Sequence, residues 1–159
     1  MNAFERRSPG GYRVSTDPAL LDLDAIHAEL REAYWSIGIP RDVMEAAIAH
    51  SIPFGLYAPD GAQAGFCRVL TDTALFAYLA DVIVLEEHRG RGLGVFLVEC
   101  ALAHPDVQGL RRFHLGTVDA HSLYERFGFV TDAQEGIQMD RITPIEQLWP
   151  LEDPEPGSG

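Results

Sequence analysis

The segment Val82-Ile83-Val84-Leu85-Glu86-Glu87-His88-Arg89-Gly90-Arg91-Gly92-Leu93-Gly94 constrains this chain more than any other. It passes from an apolar run through alternating glycines into a helix-spaced pattern at Leu93, Phe96, Leu97, Cys100, Ala101 and His104. A strand that feeds a helix through such a loop points unpaired backbone N–H groups at one spot. Together with the positive end of the helix dipole these make a phosphate site. Glycine at 90, 92 and 94 lets the backbone approach a ligand closely. A dinucleotide loop, G-x-G-x-x-G, would need glycine at 95 or 97, where the chain has Val95 and Leu97. A Walker loop needs lysine, and all twelve basic residues are arginine. What remains is R-x-x-G-x-G, met by Arg89, Gly92 and Gly94. A ligand-free tight turn, the competing reading, has no need of three alternating glycines.

The 159 residues hold one domain, expected over 1–149, followed by an acidic Pro/Gly-rich tail, 150–159, expected to be disordered. Twelve basic against twenty-four acidic residues give a net charge of −12, which disfavours nucleic acid and anionic membranes as partners. Cys67 and Cys100 lie in apolar runs and form no C-x-x-C pair, and the six histidines form no H-x-x-x-H pair, so no metal site is expected. With no signal-peptide core at the N-terminus, a cytoplasmic location is expected.

Along the chain, Tyr12 to Ser15 reads as a first strand, and Asp17-Pro18 as the cap of a helix reaching Trp35. Pro40 opens a second helix with Val43, Ala47 and Ile48 on one face. Phe54 to Ala58 and Ala64 to Thr71 make a hairpin about Pro59-Asp60-Gly61, and Leu75 to Leu85 is an interior strand interrupted by one carboxylate, Asp81. A strongly amphipathic helix follows to His104. Arg112 to Thr117 is a strand, Asp119 can cap a short helix stopped by Gly128, and a last strand runs near Ile137 to Ile142. The fold class is α+β, mixed layers of helices on a largely antiparallel sheet.

The glycine loop resembles the acetyl-CoA loop of the GNAT superfamily of N-acetyltransferases, Q/R-x-x-G-x-G/A after a central strand. That family also carries L-Y-x-x-x-G-F in a later short helix, and Leu123-Tyr124-Glu125-Arg126-Phe127-Gly128-Phe129 matches it. The resemblance spans roughly Phe54 to Arg141. It implies a GNAT-like sheet splayed at the cofactor site and acetyl-CoA as co-substrate. The diphosphate would lie on backbone amides of Arg89, Gly90, Arg91, Gly92, Leu93 and Gly94, and the pantetheine arm beside Val82, Ile83 and Val84. Asp119 stands where the family often has an asparagine that contacts the cofactor arm. A homodimer through open strand edges is expected.

The implied reaction is direct attack of a neutral amine on the thioester in a ternary complex, with a small-molecule or exposed amine as acceptor. It requires loss of a proton from the amine, stabilisation of the carbonyl oxygen, and an acid for the departing thiolate. Tyr124 stands where the family commonly places that acid; its other reading is an aromatic on a packed helix face. Asp81 could draw in the ammonium or, through water, take its proton, or could be a carboxylate satisfied by backbone or arginine. His121 is a weaker candidate for relaying protons. Tyr34 and Trp35 lie in the segment that overhangs the acceptor cleft in similar folds and could wall it by cation–π contact, although the favoured reading is that they are ordinary core aromatics. The rival reading is a non-catalytic acyl-CoA-binding module.

Overall fold

The Pro59-Asp60-Gly61 turn closes a hairpin in which Asp60 Oδ1 accepts the Ala62 N–H at 2.9 Å and Gly61 donates to the Ala58 carbonyl at 2.8 Å. In the computed structural model, which describes residues 3–131 and 136–151, this hairpin sits inside a six-stranded sheet. The strands follow chain order: β1 (Glu5–Arg7), β2 (Arg13–Ser15), β3 (Ile52–Tyr57), β4 (Gln63–Thr71), β5 (Phe76–Val84) and β6 (Arg112–His114). All neighbours are antiparallel except β5 and β6. The helices are α1 (Leu23–Leu30), α2 (Arg41–Ala49), α3 (Leu93–Ala103), α4 (His121–Glu125) and α5 (Ile145–Leu148). The mixed α+β class and the mostly antiparallel sheet are as the sequence predicts.

Two cores cover the two faces of the sheet. Ile26, Leu30, Met44 and Ile48 of α1 and α2 pack on Phe66 and Ile83, while Leu93, Leu97, Val98 and Ala101 of α3 pack with Phe54, Leu56, Cys67, Val69 and Leu79. Leu79 and Ile83, four residues apart on β5, would share a face of a regular strand. They lie in different cores because β5 bulges: Phe66 pairs with Ile83 and Arg68 with Ala80, so Asp81 and Val82 together oppose Cys67.

Several sequence expectations need correction. Asp17 caps only a short 3-10 turn, Pro18–Leu20; Asp22 caps α1, and α1 stops at Leu30 rather than Trp35. The stop is local, since Ser36 Oγ donates to the Leu30 carbonyl at 2.6 Å and Gly38 N–H to the Arg31 carbonyl at 2.8 Å. The buried face of α2 is Met44 and Ile48, with Val43 exposed. Helix α3 is apolar nearly all round, because it is enclosed and only Glu99 faces solvent. Strand β1, all exposed and charged, carries no apolar alternation to betray it. β6 ends at His114 instead of Thr117, and 137–142 forms no strand: Ile137, Met139 and Ile142 are exposed, interrupted by polar Gln138, Asp140 and Arg141. Of the expected tail, 152–159 lies outside the described residues.

One contact in the hairpin fixes a residue type. A Cβ on Gly65 would stand 2.6 Å from the Ile83 carbonyl oxygen and 3.0 Å from Leu56 Cδ2. Backbone cannot yield cheaply there, so Gly65→Ala should cost about 1–3 kcal/mol, read as a lowered midpoint in denaturant unfolding. An unchanged midpoint would mean that β4 and β5 can separate freely at this step.

Candidate active site

The glycine loop leads into an uncapped helix start, as the sequence predicts. After a 3-10 turn at Glu86–His88, Gly90 and Gly92 take φ of 79° and 73°, and Gly92 is the N-cap of α3 with no side chain capping it. Side chains at 90 and 92 would meet nothing within 4 Å, so the space above the loop is open. Val84, His88, Arg89, Gly90, Gly92, Leu93, Gly94, Val95 and Leu123 line a shallow cleft of about 250 Å³ there. Arg89 is turned to structural use: its Nε donates to the Val84 carbonyl at 2.9 Å, and its Nη2 pairs with Glu29 Oε1 at 2.7 Å, tying the loop to α1. His88 Nδ1 lies 2.9 Å from the Tyr12 hydroxyl.

Beside this loop the sheet opens. Strand β6 pairs with β5 only from Phe76 to Tyr78, yet β5 continues to Val84 with β4 as its neighbour. Past Tyr78 the other edge of β5 therefore has no strand beside it among the described residues. The bulge falls in this stretch and gives Val82 and Val84 to the α3 side of the sheet and Ile83 to the opposite side. Of the three residues expected beside the pantetheine arm, two thus share a face with the glycine-loop helix and one does not.

Asp81 occupies the bulge with φ of 56°, a left-handed conformation that few non-glycine residues adopt and that aspartate tolerates better than most. Such strain persists where surroundings hold it, and here they do. Arg68 Nε donates to Asp81 Oδ2 at 2.6 Å and Trp35 Nε1 to Oδ1 at 2.8 Å, while an Arg68 terminal nitrogen reaches Ser51 Oγ at 3.1 Å. The Arg68 and Asp81 side chains are only 17% and 13% exposed, so solvent screens this pair weakly. Arg68 and Trp35 come from distant parts of the chain. Sequence reasoning missed Arg68, although one charged residue inside the apolar run from Phe66 to Leu70 was a usable signal.

Tyr124 of α4 is 8% exposed and packs edge-on to Phe129, with ring centroids 6.0 Å apart. Burial, aided by the nearby Cys67, Tyr34 and Asp119, pushes its phenol up to about 12. Cys67 lies across from the bulge, and its thiol is raised well above the usual range, chiefly by burial, with Cys100 and Asp81 adding to it. Tyr124, Cys67, Tyr34 and Asp81 thus form one electrostatic neighbourhood. A larger cleft of about 710 Å³ runs between β6 and α4, lined by Phe113, His114, Thr117, His121, Tyr124 and Phe129 among others; it contains Tyr124 but neither Asp81 nor the glycine loop. Asp119 does not cap α4. Ala120 is the N-cap, and its N–H donates to Thr117 Oγ1 at 3.0 Å, so the threonine performs the turn-closing role expected of the aspartate.

A central strand that loses its neighbour beside a glycine-rich helix start is the arrangement expected of the family that the sequence resembles. Comparison with known proteins agrees: the acetyltransferase (GNAT) domain matches residues 50–131. A Gibberella zeae protein named as a candidate acetyltransferase is 36% identical over 137 residues, 72% of this chain and 76% of that protein. A crystal structure from Xanthomonas campestris pv. campestris, described as a candidate acetyltransferase of the GNAT family, superposes with a TM-score of 0.80 at 48% identity, covering 84% of this chain and 94% of the other. A Staphylococcus aureus structure at 20% identity and TM-score 0.67, covering 83% and 99% of the two chains, shares the fold. The chain belongs to the GNAT acetyltransferase family and is an acyltransferase. The family implies acetyl-CoA as co-substrate. Among the described residues no helix is long and apolar enough to cross a membrane.

Proposed function

We propose that the enzyme moves the acetyl group of acetyl-CoA to a primary amine by direct attack within a ternary complex. The single observation that carries this reading is the placement of a strained, charged bulge residue, Asp81, on the strand whose edge opens beside the glycine loop. The residues present suit the thioester: the cradle at Gly90 and Gly92 is one that any Cβ would fill, and no side chain caps α3. When bound, acetyl-CoA supplies an activated carbonyl and a thiolate leaving group.

In this reading backbone amides from Arg89 to Gly94 hold the diphosphate, and main-chain groups of Val82 and Val84 on the open edge of β5 orient the arm. Asp119, close enough to act on the Tyr124 phenol, borders the arm. Tyr124 faces the departing sulfur. Its phenol, at about 12, holds its proton more tightly than a thiol of ordinary pKa, about 8.5, so it stabilises the thiolate by donating a hydrogen bond rather than by surrendering the proton. Asp81, whose charge Arg68 balances, holds Trp35 at the acceptor side, and the net charge of −12 favours an arriving ammonium.

The test is release of free thiol from acetyl-CoA across 1,4-diaminobutane, 2-phenylethylamine, glucosamine and glutamate. The cationic and neutral-bodied amines should exceed glutamate; turnover of none of them, or glutamate as the best acceptor, overturns the reading. Asp81→Asn sharpens it. Both present partners of the carboxylate are donors, so the amide must turn its own NH₂ toward either Arg68 or Trp35. The variant should raise the acceptor KM or lower kcat and leave acetyl-CoA affinity nearly unchanged, with a stability loss of about 1–3 kcal/mol from the broken pair, read separately by thermal unfolding. A fully active Asp81→Asn enzyme would make Asp81 structural.

A further inference from the structure

The segment after α4 returns to the acceptor side of the molecule. Trp149, half-buried just past α5, donates its Nε1–H to the Ile37 carbonyl at 3.0 Å, a contact spanning 112 residues. Leu151 follows it into the same place: a Cβ added to Gly38 would stand 3.1 Å from Leu151 Cδ2 and 3.5 Å from Trp149 Nε1. The loop they press upon, 31–39, is otherwise held by a few bonds of its own: Gly38 to Arg31 at 2.8 Å, Ser36 to Ala33 at 3.0 Å and Ile39 to Ser36 at 3.0 Å. That loop carries Tyr34 and Trp35, whose rings meet edge-on at 5.0 Å, and both are substantially exposed. Trp35 in turn is the donor on Asp81 Oδ1. An unbroken series of contacts therefore runs from the C-terminal segment through Ile37 and Trp35 to the carboxylate in the bulge.

Exposed aromatics on a turn are not held by burial. Their position over Asp81 rests on the loop's few hydrogen bonds, on the Trp35–Asp81 bond, and on the Trp149 contact that ties Ile37 to the C-terminal segment. We propose that Trp149 is a positioning residue: it fixes the 31–39 loop so that Tyr34 and Trp35 form an ordered wall beside Asp81, and thereby sets how well a cationic amine is held there. This rests on the acceptor reading above. The wall suits an ammonium group on an apolar stem, with charge and stem lying against the ring faces.

The experiment compares wild type with Trp149→Phe, which keeps an aromatic ring and removes the N–H donor, and with Trp149→Ala, which removes both. Backbone hydrogen exchange, followed by mass spectrometry over residues 31–39, reads the loop without reference to catalysis. Steady-state kinetics read KM for 1,4-diaminobutane, and calorimetry reads acetyl-CoA binding. Loss of one neutral hydrogen bond predicts exchange faster by about 3- to 10-fold in the phenylalanine variant, and a rise of similar size in the amine KM, with kcat and acetyl-CoA affinity little changed. The alanine variant should exceed it in both. Unchanged exchange in both variants overturns the proposal, as does faster exchange with an unchanged amine KM, since the contact would then be a staple without influence on the acceptor. If wild type turns over no amine, the acetyl-transfer reading fails, and the exchange arm alone decides whether Trp149 holds the loop.

Discussion

Gly92→Val should weaken acetyl-CoA binding severely while the protein stays folded. Gly92 takes φ of 73° at the N-cap of α3, where a valine would be strained, and its missing side chain borders open space rather than protein. The new side chain displaces nothing in the fold and intrudes on whatever occupies that space, beside a backbone strain of about 1–3 kcal/mol that unfolding reads separately. Losing two charge-assisted hydrogen bonds from the diphosphate, at about 1.5–3 kcal/mol each, weakens binding about a hundredfold or more. Calorimetric titration with acetyl-CoA measures this, and a thermal melt verifies folding. Gly92→Ala, which intrudes less, should fall between. Equal affinity in a folded valine variant would move the diphosphate away from this loop.

Tyr124→Phe should lower kcat by about 10²–10³, the usual worth of a single positioned donor, with acetyl-CoA affinity changed far less. The substitution removes one hydroxyl and keeps the packing of the ring on Phe129. Because burial holds the phenol up at about 12, the residue keeps its proton through the alkaline range, and no loss of kcat there belongs to its ionisation. Single-turnover kinetics isolate the chemical step. A phenylalanine enzyme within about threefold of wild type, with chemistry limiting, would leave Tyr124 a packing residue and give the thiolate its partner from water.

The parts of this site that were legible in the sequence are those written in consecutive residues. The glycine loop and the L-Y-x-x-x-G-F helix are local, because backbone conformation and helix capping are decided within a turn or two of chain. The hairpin at Pro59-Asp60-Gly61 was legible for the same reason. What escaped is non-local. Nothing near Asp81 in the chain announces that Arg68 and Trp35 will take its two oxygens, and nothing near Trp149 announces Ile37. Short elements escaped as well. A three-residue charged strand such as β1 has no periodicity to detect, and the run at 137–142 has apolar residues without a strand beside them.

The bulge at Asp81 and Val82 makes β5 a splice between two different surfaces. Upstream of it, odd-numbered residues such as Leu79 belong to the α3 core; downstream, the even-numbered Val82 and Val84 do. Length is therefore a constraint separate from composition. Removing either bulge residue would let β5 run regularly with Val84 and Ile83 still on their present sides, whereas keeping both and flattening the bulge would send Ile83 to the side where the cofactor arm is expected and turn the valines toward α1 and α2. A homologous strand one residue shorter would keep the same floor for the cleft and lose the left-handed position from which Asp81 meets Arg68 and Trp35.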